Sequence, residues 1–189
     1  ETLQTLKRHD VRVVAYTESG AYWTEWRINH TELDGVIDVV YSSPDHDIAA
    51  GVDIGDLRTG RYERRYGLSS TQHHHVPTGA TKPNTAILSS ILESEGRTAD
   101  QAAYLGDSLM KDIAMAQAAG VYDIHAAYGQ VLNNPDYDLL RRVTHWTSAD
   151  VERERALHEG VQTITPSFTC SESIRQILPI FSIDREERP

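Results

Sequence analysis

The stretch AAYLGDSLMKDIAMAQAAGV, residues 102–121, puts Asp107 and Asp112 five residues apart, where a short apolar strand gives way to an Ala-rich helix. Two carboxylates in one crevice repel each other and rise in pKa unless a cation neutralises them. Hard oxygen ligands that leave room for water suit magnesium. Two more polar residues sit at comparable points: Thr17 closes VRVVAYT, and Lys82 opens KPNTAIL. A hydroxyl and an ammonium beside a cation-holding carboxylate pair are the partners an anionic phosphoryl group needs. Each residue alone has a plainer role. Asp107 would serve as a helix cap, Asp112 as a solvated helix residue, Lys82 as an exposed lysine before a helical proline, and Thr17 as a turn hydroxyl.

These residues are useful together only if the chain brings them to one edge of a sheet. VRVVAYT (11–17) and GVIDVVYSS (35–43) read as buried strands, and KPNTAILSSILESEG reads as a helix. In that helix Ile87 and Ile91, with Leu88 and Leu92, fall at i,i+4 spacing, Pro83 suits the first turn, and Gly96 suits the position just past the end. TADQ (98–101) has the pattern of a capping box. AAYLGD then reads as a strand, the helix after it runs to Gly120, and YDIHAAYG (122–129) forms the next strand. A weaker strand follows near 141–146, and SESIRQIL (171–178) closes as a helix. The segment 44–81 is rich in glycine and lacks a period, which predicts a loop-rich insertion. Strands alternating with helices predict an α/β fold with a parallel sheet, and such sheets bind ligands beyond the carboxyl ends of their strands.

Composition narrows the classes of function. Eighteen Lys and Arg against twenty-eight Asp and Glu give a formal charge of -10, a field that repels nucleic-acid backbones and anionic membranes. No apolar run approaches a membrane span, and the single cysteine, Cys170, allows no internal disulfide, so a cytoplasmic setting is expected. Among the remaining motifs, HHH at 73–75 would let only His73 and His75 share a ligand sphere, because neighbouring side chains of an extended segment point to opposite faces. A solvated loop, a structural zinc site and a loop lending one imidazole to an anion are the readings for it. Tyr22, Trp23 and Trp26 read as packing, and DVERERALHEG (150–160) as a solvated helix.

In order and context, AYTES, TKPNTAIL and YLGDSLMKDIAMAQAAGV resemble the second, third and fourth motifs of the haloacid dehalogenase (HAD) superfamily. The resemblance covers roughly residues 1–180 as a core domain, with 181–189 as a tail. It implies a Rossmann-like parallel sheet flanked by helices, and a magnesium-dependent phosphohydrolase acting on a small phosphorylated metabolite through an aspartyl-phosphate. It also implies roles. Thr17 and the backbone amide of Glu18 would bind the phosphoryl group, and Lys82 would offset the charge of the nucleophile and the phosphoryl oxygens. Asp107 would bind magnesium, and Asp112 would reach the metal directly, through water or through a neighbouring side chain.

The family's first motif, an apolar strand ending in Asp-x-Asp, does not precede Thr17. DHD at 45–47 and DIGD at 53–56 follow no suitable strand. The resemblance places that motif's strand in the middle of the sheet, between the strands ending at Thr17 and Asp107. The nucleophile, the general acid and any cap inserted after them are therefore expected on an N-terminal segment or chain outside this sequence, and this chain by itself is expected to be inactive. The other class of function is a non-catalytic HAD-like module that binds a ligand or partner without chemistry.

Overall fold

The computed structural model describes residues 1–45, 67–129, 152 and 164–183. The strand expected near 141–146, the helix expected over 150–160 and much of the expected insertion lie outside these residues. The chain divides into two compact units, one of Glu1–Thr81 with Leu178–Pro189 and the other of Lys82–Ile177.

The first unit runs α1 (Thr2–Arg8), β1 (Val14–Gly20), α2 (Ala21–His30), β2 (Val39–Ser43) and β3 (Gln72–His75). Its sheet is parallel, in the order β1-β2-β3. β2 is the central strand, and its Val39, Val40, Tyr41 and Ser42 are all buried, which explains why it reads as an unbroken apolar run rather than an alternating one. Ile28 of α2, Ile37 and Val40 form a core with Val13, Ala15, Leu33 and Leu68 against it. β1 continues past Thr17 to Gly20, with a register irregularity between Tyr16 and Gly20. β3 lies in the segment expected to be loop. Histidine is a poor strand former, but the second edge of β2 supplies the backbone partners, and sheet context overrides intrinsic preference.

Polar groups fasten this unit. The Asp34 carboxylate accepts the N–H groups of Ser69, Ser70 and Thr71 at 2.8, 3.1 and 2.9 Å, and so holds the chain that enters β3. Asp45 accepts the Tyr22 N–H at 2.7 Å and thereby caps α2 from a distant loop. Half-buried in β3, His73 bridges two elements: its Nδ1 lies 2.9 Å from Glu25 Oε1 and its Nε2 lies 2.8 Å from Ser42 Oγ. His73 and His75 do share a face, with ring centroids 4.9 Å apart. On α2, Trp26 stacks on His30, while Trp23 is exposed.

The second unit contains α3 (Thr85–Ser94), β4 (Ala103–Gly106), a π-helical turn at Leu109–Ile113 leading into α4 (Ala114–Ala118), β5 (Tyr122–Ala126) and β6 (Phe168–Cys170). Its sheet is also parallel, in the order β4-β5-β6. The expected parallel α/β class is thus present, as two three-stranded sheets. α3 buries Ile87, Leu88 and Ile91 as its spacing predicts, but it starts after Pro83, with Asn84 as its N-cap. Both helix ends follow the glycine rule. Gly96 (φ 62°) and Gly120 (φ 71°) take left-handed conformations, and the N–H groups of Arg97 and Val121 return to Leu92 and Ala116. Asp123, almost fully buried in β5, is satisfied by the N–H and hydroxyl of Ser167 and by the Gln117 amide. The expected closing helix is present as a 3-10 helix over Ile174–Phe181, which contains Pro179 with no N–H to donate.

Asp38 is expected to make the stability of the first unit depend on pH. Burial by itself would raise its pKa. The Lys7 ammonium at 2.6 Å and the Val13 N–H at 2.8 Å, with the Arg12 charge nearby, outweigh that and hold the carboxyl below its ordinary value. A depressed acid stabilises the fold above its unfolded pKa, and the contribution is lost as pH falls through the folded pKa. Asp38→Ala is expected to cost about 1–2 kcal/mol at pH 7 in urea unfolding. The gap to the parent should close below the carboxylate range, and a gap that persists unchanged at low pH would mean the charge is not its source.

Candidate active site

The centre of the second unit is the carboxylate of Asp112. Lys82 arrives two residues before the Asn84 cap, whose side chain accepts the Ile87 N–H at 3.2 Å and so sets where α3 begins. Its ammonium lies 2.9 Å from Asp112 Oδ1, with the two side chains only 13% and 7% exposed. The Tyr104 hydroxyl donates to the same oxygen at 3.1 Å, and the Ser108 N–H donates to Oδ2 at 3.2 Å. Ser108 also caps the turn, its hydroxyl accepting the Lys111 N–H at 3.2 Å. Asp112 is therefore not a solvated helix residue. Breaking a buried pair of this kind by removing one partner costs about 3–5 kcal/mol, because the remaining charge is stranded.

Gly106 explains the glycine of the Gly-Asp pair. A side-chain carbon there would collide with Cβ, Cγ and Oδ2 of Asp112, so the carboxylate lies directly against the backbone of β4. The π-helical turn is the other half of the arrangement. It carries Asp112 within one short loop of the strand end and aims its side chain back at Lys82.

Asp107 differs in kind. It is exposed at the end of β4, and its neighbour Gly129 lies close to its Cβ. Partial desolvation pushes its carboxyl above the ordinary value, and the negative charge of Asp112 pushes the same way. Its own backbone N–H and the Lys82 ammonium oppose this without reversing it. A carboxylate made reluctant to ionise by a like-charged neighbour gains most from a bound cation, so its chemistry fits a divalent ion. The Asp107 backbone carbonyl lies 3.3 Å from His125 Nε2. Tyr128, just beyond β5, is raised in pKa chiefly by burial and further by Cys170 and Asp107. Among the described residues, no three His, Cys, Asp or Glu side chains form a set that could hold a metal.

Of the residues singled out from sequence, Lys82, Asp107 and Asp112 lie in the second unit. There Lys82 and Asp112 pair, and Asp107 feels the charge of both. Thr17 and Glu18 belong to the first unit, where the Thr17 hydroxyl accepts the Ser19 N–H at 3.1 Å in the irregular part of β1. Sequence reasoning missed Tyr104, Ser108 and Gly106 as partners of Asp112. Tyr104 and Gly106 share one face of β4 by the two-residue strand period, which is the one signal that links them.

Parallel strands with helices on them, and a lysine–aspartate pair beside a second carboxylate at a strand end, define a parallel α/β protein with a charged site. Residues 72–126 match the family model described as haloacid dehalogenase-like hydrolase, the same superfamily that the motifs resemble. No curated protein matches significantly. Among solved structures, a p-nitrophenyl phosphatase from Archaeoglobus fulgidus is similar at 16% identity with a TM-score of 0.34, over 95% of this chain and 71% of that one. Among the described residues, no helix is long and apolar enough to cross a membrane.

Gly106→Ala is expected to push Asp112 off Lys82 and to destabilise the protein by about 1–3 kcal/mol. Thermal unfolding checks this. A melting temperature equal to that of the parent would show that the carboxylate does not need the bare backbone.

Proposed function

We propose that this chain forms part of a magnesium-dependent phosphohydrolase of the haloacid dehalogenase type, acting on a small phosphorylated metabolite through an aspartyl-phosphate. The single observation that carries this is the buried Lys82–Asp112 pair, with Asp107 beside it raised in pKa by partial burial and by Asp112, against the opposing charge of Lys82. The arrangement supplies a fixed cation for phosphoryl oxygens and a carboxylate suited to magnesium. The family model over residues 72–126 supports the same hydrolase class.

In this reading Asp107 would hold magnesium together with water, since magnesium keeps several waters. Asp112 acts on the metal through water or a neighbouring side chain, because Lys82, Tyr104 and the Ser108 N–H already engage its oxygens. When bound, the metal offsets charge on the phosphoryl group. Lys82 offsets charge on the nucleophile and the phosphoryl oxygens. For Thr17 and the Glu18 amide, a phosphoryl-binding role is proposed from the resemblance of AYTES to the second motif alone. The nucleophile and general acid come from a first-motif strand on a segment outside this sequence, and the chain without it is inactive. Among the described residues β1 and β4 each have one strand neighbour, and such edges readily accept a further strand. The lone thiol, Cys170, is buried and suits a cytoplasmic setting.

Asp107→Ala in the full-length protein tests the assignment. With a generic aryl phosphate, magnesium-dependent turnover is expected to fall by more than about 100-fold, as for loss of a group acting on the transition state. The fold should hold. An acid whose folded pKa is raised opposes folding above its unfolded pKa, so at pH 7 its removal costs no stability. Retained turnover would overturn the role of Asp107. A full-length protein with no magnesium-dependent turnover would favour a non-catalytic binding module.

A further inference from the structure

We infer that Tyr104 is the positioning residue for Lys82, an inference that rests on the phosphohydrolase reading. A lysine has a long flexible stem and a compact, strongly hydrated head, so an ion pair by itself fixes its ammonium poorly. Tyr104 touches both halves of the pair. Its hydroxyl donates to Asp112 Oδ1, the oxygen that also receives Lys82, and the Lys82 Nζ lies 5.7 Å from the centroid of its ring. The hydroxyl thus sets where Oδ1 sits, while the ring face attracts the ammonium from a second direction.

Placement on the strand makes this possible. Tyr104 and Gly106 lie on the same face of β4, and the missing side chain at Gly106 is the space in which Asp112 rests. The phenol reaches the carboxylate across that gap from a residue fixed by β4–β5 pairing, where Tyr104 lies opposite Asp123. Asp112 and Lys82, by contrast, stand on a turn and on the approach to a helix. The strand therefore supplies a reference point, fixed by sheet pairing, for two side chains carried on a turn and on the approach to a helix. A loss of alignment in a catalytic group lowers rate steeply even when binding is kept.

Tyr104→Phe removes the hydroxyl and keeps the ring, and Tyr104→Leu removes both. In the full-length protein with magnesium and p-nitrophenyl phosphate, Tyr104→Phe is expected to lower kcat per folded molecule by about fivefold to tenfold, with KM within about twofold. Its melting temperature is expected to fall by only a few degrees, because Lys82 and the Ser108 N–H still engage Asp112, and Tyr104→Leu should lose more of kcat. A Tyr104→Phe kcat within twofold of the parent overturns the inference, and so does a fall in kcat explained by a smaller folded fraction. If the parent shows no turnover, the phosphohydrolase reading fails, and the hold of Tyr104 on Lys82 is decided by nitrogen-15 lysine NMR. The Lys82 ammonium signal, identified by its absence in Lys82→Met, should exchange with water several times faster in Tyr104→Phe. Unchanged exchange overturns the inference without reference to activity.

Discussion

A buried carboxylate must be paid for with hydrogen bonds, and in the second unit Asp112 is the group that sets this demand. Lys82, the Tyr104 hydroxyl and the Ser108 N–H meet it from three directions, so the approach to α3, the strand β4 and the π-helical turn converge on one side chain. Gly106 lacks a side chain because that carboxylate lies against it, and the turn departs from ordinary α geometry where it presents the carboxylate. A partly satisfied buried charge is costly, so these elements stand or fall together.

The first unit solves a similar problem with neutral and charged donors spread along the chain. Asp34 gathers three backbone N–H groups ahead of β3, Asp38 ties Lys7 of α1 to the start of β1 through Val13, and His73 links α2 to the sheet through Glu25 and Ser42. These bonds fix which segments meet, while apolar residues such as Ile28, Ile37 and Val40 supply most of the burial.

Two carboxylates five residues apart end in opposite electrostatic situations. Asp112 is enclosed and neutralised by a lysine. Asp107 is exposed, and its pKa is raised first by partial desolvation and then by the charge of Asp112. One carboxylate is thus committed to its side-chain and backbone partners, while the other stays open to solvent.

The parallel α/β class, the helix 85–94 and the two helix-ending glycines were legible in the sequence because each follows from local rules: apolar period, cap chemistry and the left-handed freedom of glycine. So was the list of charged candidates, since Lys82, Asp107 and Asp112 sit at strand and helix ends. What the residues do to one another was not legible. Local pattern gave no reason for His73–His75 to join a sheet, because β3 exists only through its pairing with β2. It gave Asp112 a solvated alternative that burial removes, and it passed over Tyr104, whose hydroxyl matters only once β4 and the π-helical turn are folded together. Period and propensity act over a few residues, whereas the pKa of Asp107 and the partners of Asp112 depend on groups brought within a few ångströms from up to 30 positions away, as Lys82 is from Asp112, and only the tertiary structure makes those approaches.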